Sequence, residues 1–125
     1  MVVAKGGRMK KALICYRKES IVVAQAMKIV IELIEFESDI CQHEDALATF
    51  LSGVYSHVVI LDYSERGDKS VGGFASYRDI KASAMPDQKM IRAGYDKLDY
   101  SDYWLLPGEL AQLFKLLTKE DYTGS

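Results

Sequence analysis

The chain has 125 residues, 49% hydrophobic and 27% charged, with 16 basic and 18 acidic side chains giving a net charge of −2. That length fits one domain burying roughly two thirds of its unfolded surface, and the charge balance lacks the basic footprint of a nucleic-acid binder. The two cysteines, Cys15 and Cys41, lie in apolar contexts without a CxxC motif, which argues against a disulfide framework or zinc site and for a reducing cytoplasm.

Residues 1–10 are a polar, Gly-containing lead-in, disordered or vector-derived, and Met1–Met9 is too short and interrupted to read as a secretory leader. Lys11–Tyr16 reads as a first buried strand. Arg17-Lys18-Glu19-Ser20 breaks it, with Ser20 or Glu19 as the cap of a helix over Ile21–Phe36. In that helix Gln25, Lys28, Glu32 and Glu35 recur at helical spacing as one wet stripe, so the segment is not a membrane span. Its apolar excess (Val22, Val23, Met27, Val30, Ile31) fits a partner surface or wide burial between layers.

Glu37–Gln42 is a peripheral strand, and Glu44–Leu51 a second helix stopped at Gly53. Val58-Val59-Ile60-Leu61-Asp62 is the centre of the chain: four apolar residues, as in a strand buried on both faces, ending in a carboxylate. Tyr63–Gly73 is a polar loop and Phe74–Ala84 a third helix, with Phe74, Tyr77, Ile80 and Ala84 on one side, stopped by Pro86. Lys89–Ala93 and Asp102–Leu106 are the last strands. Pro107 opens a closing helix with Leu110, Leu113, Phe114 and Leu117 inward. Strand and helix alternate five times, which requires a parallel sheet covered on both faces. The segment between strands four and five, Gly94–Ser101, is shorter than the ~10–12 residues a helical crossover needs. The fourth helix is therefore expected to shrink to a turn, with Tyr95, Leu98 and Tyr100 packing down as a lid.

This pattern resembles the receiver domain of two-component response regulators over 11–119, with 120–125 as a tail. Val59-Ile60-Leu61-Asp62 is similar to the family's third strand with its phosphoacceptor aspartate, and Tyr103 and Pro107 keep the register of its fifth strand and Lys-Pro pair. The resemblance implies a flavodoxin-like doubly wound three-layer α/β fold, five parallel strands in the order 2-1-3-4-5, here with a reduced fourth helix. It also exposes departures. Tyr16 and Arg17 stand where adjacent acids would hold magnesium, Leu106 replaces the phosphate-binding lysine, and Ala93 or Gly94 replaces the switch hydroxyl. Magnesium is a hard cation that takes oxygen ligands, and a guanidinium repels it.

The resemblance therefore implies a degenerate, pseudo-receiver-type domain with a vestigial phosphoacceptor at Asp62. Its binding residues would be Arg17, Asp62 and Tyr103, with Arg17 in salt-bridge reach of Asp62. The expected role is a phosphorylation-independent protein-interaction module of two-component signalling in the cytoplasm, without enzymatic activity, metal or other cofactor. Its partner would be a histidine kinase, an output domain, another receiver or a second copy, with no nucleic acid and no membrane. The alternative is an active receiver phosphorylated on Asp62 in a phosphorelay, with magnesium bound. A flavodoxin-like ligand binder is a third reading, but Arg17-Lys18-Glu19 offers no phosphate cradle. Lys69, Ser70 and Gly72-Gly73 form no phosphate loop. Ser64, Glu65 and Arg66 suggest no catalytic use, His43 and His57 read as surface or strand-end histidines, and Cys15 and Cys41 as structural thiols rather than a redox pair.

Overall fold

His57–Asp62 forms the middle strand of a five-stranded parallel sheet, with all its residues buried. A computed structural model describes residues 10–62, 73–95, 98–106, 109, 111–113 and 115–117, the side chains of 73–76 excepted. In chain order the elements are β1 (Lys11–Tyr16), α1 (Ile21–Leu33), β2 (Glu37–Gln42), α2 (Ala46–Ser52), β3 (His57–Asp62), α3 (Gly73–Ser83), β4 (Lys89–Gly94) and β5 (Tyr103–Leu105). Residues 112–113 and 115–117 are helical as well. The strand order is β2-β1-β3-β4-β5 and every pair is parallel, the doubly wound topology expected from the sequence.

Successive side chains on a strand point to opposite faces, so the sheet divides the interior into two cores. On one face Ile14, Val59, Leu61 and Ile91 pack against Ala24, Met27 and Ile31 of α1 and Leu113 and Leu117 of the closing helical segment. On the other, Leu13, Val58, Ile60 and Met90 meet Phe50 from α2 and Tyr77 and Ile80 from α3.

Local details differ from the sequence reading. Helix α1 stops at Leu33 instead of reaching Phe36, because Glu35 takes a φ of 66° and turns the chain so that Phe36 enters the core. Positive φ is uncommon outside glycine. Neither Ser20 nor Glu19 caps α1 through its side chain. A 3-10 turn over Lys18–Ser20 leads in, and the Ser20 N–H bonds the Arg17 carbonyl. The second helix likewise starts with a 3-10 turn, His43–Asp45. Gly53 has extended backbone, so it is no left-handed stop. A Cβ there would lie 3.0 Å from the Tyr55 ring, and that close approach explains the glycine. Gly73 opens α3 and is not loop; the rest of the expected loop, 63–72, lies outside the described residues.

The apolar excess of α1 splits. Met27 and Ile31 are buried, whereas Val22, Val23, Ile29, Val30 and Leu33 face outward, Val22 and Leu33 by 72% and 76%. Wide burial between layers is therefore not the explanation for those five. Among the described residues no helix is long and apolar enough to cross a membrane.

The described residues of 94–101 contain no helix, only a turn in which the Ser101 N–H donates to the Leu98 carbonyl at 3.2 Å, as the residue count led us to expect. Leu98 is buried and Tyr100 packs beside it under the Arg78 guanidinium, 5.1 Å from the ring centroid. Tyr95 departs from the expectation and points outward. In place of a helix, Asp102 binds the start of β4. Its N–H donates to the Met90 carbonyl, its carboxylate accepts the Met90 N–H at 2.8 Å, and Lys81 of α3 closes on it at 3.0 Å.

Candidate functional site

The carboxyl ends of β1, β3 and β4 meet at one edge, where the register pairs Tyr16 with Leu61 and Asp62 with Gly94. Asp62 lies there with 1% of its surface exposed. A carboxylate removed from water needs a compensating charge. Arg17, one residue past β1, supplies it: Nη1 stands 3.4 Å from Asp62 Oδ2, the ion pair expected from the sequence. The Arg17 side chain is only 20% exposed and its Nε also reaches Glu19 Oε1 at 3.7 Å.

Two further residues belong to this site, and the sequence reading did not place either in it. Arg92 is 1% exposed in the middle of β4. Its signal was present, since a guanidinium inside the apolar run Met90-Ile91-Arg92-Ala93 is almost never fully buried without partners. His43 is buried in the turn before α2, its Nδ1 hydrogen-bonded to the Tyr77 hydroxyl and its ring edge-on to Tyr77 at 5.4 Å. Burial pushes its pKa down to about 4, with the Asp62 charge opposing and the Arg17 and Arg92 charges adding to the drop. His43 is therefore neutral near pH 7. His57 is also buried, its Nδ1 2.8 Å from Ser56 Oγ and its ring against Phe36. Both histidines thus correct the surface reading, although His57 does start its strand.

Gly94 fixes how closely this edge packs. A Cβ added there would sit 2.5 Å from the Asp62 carbonyl oxygen and 2.8 and 2.9 Å from Cζ and Nε of Arg92. Real side chains do not approach a backbone oxygen that closely, and the two strands are locked by their ladder. We expect Gly94→Ala to cost about 2–3 kcal/mol by overpacking, read as a lower urea midpoint at unchanged slope. A loss under about 0.5 kcal/mol would mean that the strands separate freely. The Gly94 carbonyl accepts the Trp104 indole N–H at 3.0 Å, so the β5 side is tied to the same point.

Of the residues singled out in the sequence, the structure joins Arg17 and Asp62. Tyr103, half-buried, packs on the α1 face, opposite the one that Ile60 and Met90 serve. Leu106 is exposed, its N–H held by Glu109 Oε1 at 2.9 Å. Neither Ala93 nor Gly94 provides a hydroxyl. At the edge Tyr16 and Arg17 stand where the resemblance would place an acidic pair, and Arg17 takes the Asp62 carboxylate; among the described residues no group of three or more His, Cys, Asp or Glu is arranged for a metal.

Sheet order, two-sided helix cover and an aspartate closing the middle strand together define the fold of a receiver domain. No protein-family model and no curated protein matches the sequence. Solved structures do. The chain is similar to a CheY-like response regulator receiver domain from Methylobacillus flagellatus, at 22% identity and a TM-score of 0.68 over 90% of this chain and 99% of that one. It is equally similar in shape to chemotaxis protein CheY4 of Vibrio cholerae, at 15% identity and a TM-score of 0.68 over 90% and 98%. A chain in the complex of histidine kinase ThkA with response regulator protein TrrA matches at 22% identity and a TM-score of 0.67, over 90% and 98%. The receiver fold read from the sequence is thus the fold of this chain.

Proposed function

We propose that this domain is a receiver-type module of two-component signalling that acts by protein binding and not by phosphoryl chemistry. The observation that carries this reading is the Arg17–Asp62 pair: the one retained acceptor carboxylate is buried and engaged by a cation at the position of a metal ligand. Phosphoryl transfer depends on positioning and on charge neutralisation by metal and lysine. Here Tyr16, Arg17 and Leu106 supply neither. The domain is then not an enzyme, needs no magnesium and works in the cytoplasm.

The exposed apolar side chains of α1 support a protein partner, because clustered exposed apolar groups mark contact surfaces. A similar chain occurs in a complex of a histidine kinase with a response regulator, which favours a signalling protein as that partner: a kinase, an output domain, another receiver or a second copy. The test is intact mass after incubation with an acyl phosphate and magnesium. The expected result is no phosphoryl adduct above that of Asp62→Ala. An adduct on the unaltered chain that is missing from the variant would establish the active receiver instead.

A further inference from the structure

Cys15 on β1 and Cys41 on β2 are direct partners in the parallel ladder and share the face covered by α2. Their sulfurs stand 3.8 Å apart and both are free thiols. Neighbouring strands run ~4.7–4.9 Å apart, inside the ~4.4–6.8 Å between Cα atoms that a disulfide spans. The sulfurs therefore need only a side-chain adjustment to bond.

The two thiols differ in access. Cys15 is buried and hydrogen-bonded to the Tyr77 hydroxyl. Cys41 is partly exposed and lines an open cleft of about 580 Å³ between β2 and α2, with Tyr16, Gln42, Asp45, Thr49 and Ser52 around it. The hydrogen bond it shares with Cys15 holds the Cys41 thiol below its usual range, opposed by burial and assisted by Thr49, while burial pushes Cys15 up. The thiolate is the reactive form, so the accessible sulfur is also the one more readily ionised.

We propose that Cys41 is an oxidant-reactive thiol and Cys15 its resolving partner, closing a reversible intrachain disulfide when a hydroperoxide enters the cleft. The Cys41 thiolate attacks a peroxide oxygen, the O–O bond breaks, and the departing hydroxide or alkoxide takes a proton from solvent, leaving a sulfenic acid. The Cys15 sulfur then attacks the Cys41 sulfur. The S–O bond breaks, and hydroxide leaves as water with the Cys15 proton. The two thiols give up two electrons, both accepted by the peroxide, and a small thiol reverses the bond by exchange. Oxidation also changes the sulfur to which the Tyr77 hydroxyl donates, and Tyr77 is hydrogen-bonded to His43 at the carboxyl edge. The thiol state would in this way reach the Asp62 site.

The test treats the full chain, natively folded, with hydrogen peroxide and follows intact mass after alkylation. The expected product is lighter by two hydrogen atoms, carries no alkyl group and is restored by dithiothreitol. Cys15→Ser, or Cys15→Ala if serine impairs folding, should stop at a sulfenic acid that dimedone traps. Cys41→Ser should stay unmodified at the same dose. An unchanged mass, a disulfide-linked dimer as the main product, or oxidation at Cys15 in the Cys41→Ser protein would overturn the proposal.

Discussion

Arg17→Ala should destabilise the fold by about 3 kcal/mol, near the lower end of the ~3–5 kcal/mol for breaking a buried ion pair. The discount from the full range reflects the Arg17 side chain, which is one fifth exposed where Asp62 is 1% exposed. A surface pair would give only ~0–1 kcal/mol, so burial of the carboxylate makes the difference. The same substitution in an Asp62→Ala background should cost far less, because no buried charge is then left behind. Denaturant titration of the four proteins gives the coupling, expected above about 1 kcal/mol. Coupling indistinguishable from zero would sink the pair as the element that fixes the site. Glu19→Ala serves as a control, since the exposed Glu19 contact at 3.7 Å should contribute little.

Acidification should weaken the protein through His43. In the unfolded chain this imidazole protonates near its ordinary 6.5; in the fold burial holds it neutral down to about 4. Between those values the unfolded state binds the extra proton, so stability falls as pH falls. The contribution is complete above pH 6.5 and lost by pH 4, amounting to about 3 kcal/mol at most. The charge of Asp62 favours protonation of the ring, as does that of Glu44, while the charges of Arg17 and Arg92 oppose it. The carboxylates of Asp39 and Asp102, held low by Tyr55 and Lys11 and by Met90 and Lys81 respectively, lose their contributions only at still lower pH. Unfolding midpoints of the native chain and His43→Gln at pH 7 and pH 4.5 should therefore diverge, the native chain losing more. Equal losses would show that His43 stays protonatable in the fold.

The architecture was legible because it rests on pattern. The apolar run Val58–Leu61 in β3, alternating strands and helices, and a crossover too short for a helix all restrict topology before any contact is known. The Arg17–Asp62 pair was legible for the same reason, both residues being placed by strand ends. What the sequence hid was decided by packing across elements. His43 reads as polar and peripheral until α3 brings Tyr77 over it. Arg92 passes as an interruption in a strand until the strand is seen to be covered on both sides. Even α1 misled by its chemistry: Glu35, expected on its wet stripe, has left the helix, while Val22, Ile29 and Leu33 face water. Local periodicity could not show that the layer beneath buries Ala24, Met27 and Ile31, with Ile21 packed at its margin.

The close approach at Gly94 also bears on how such a domain can change over generations. A hydroxyl-bearing side chain there would collide with the Asp62 backbone and the Arg92 guanidinium together. Replacing Arg17 by an acid would set a second negative charge against a carboxylate already shut away from water. Each single step toward a metal-binding, phosphate-accepting pocket thus passes through a less stable protein, and the useful combination requires several changes at once. The architecture acts as a ratchet: Arg17, Asp62, Arg92 and Gly94 constrain one another, so none of the four is free to change alone.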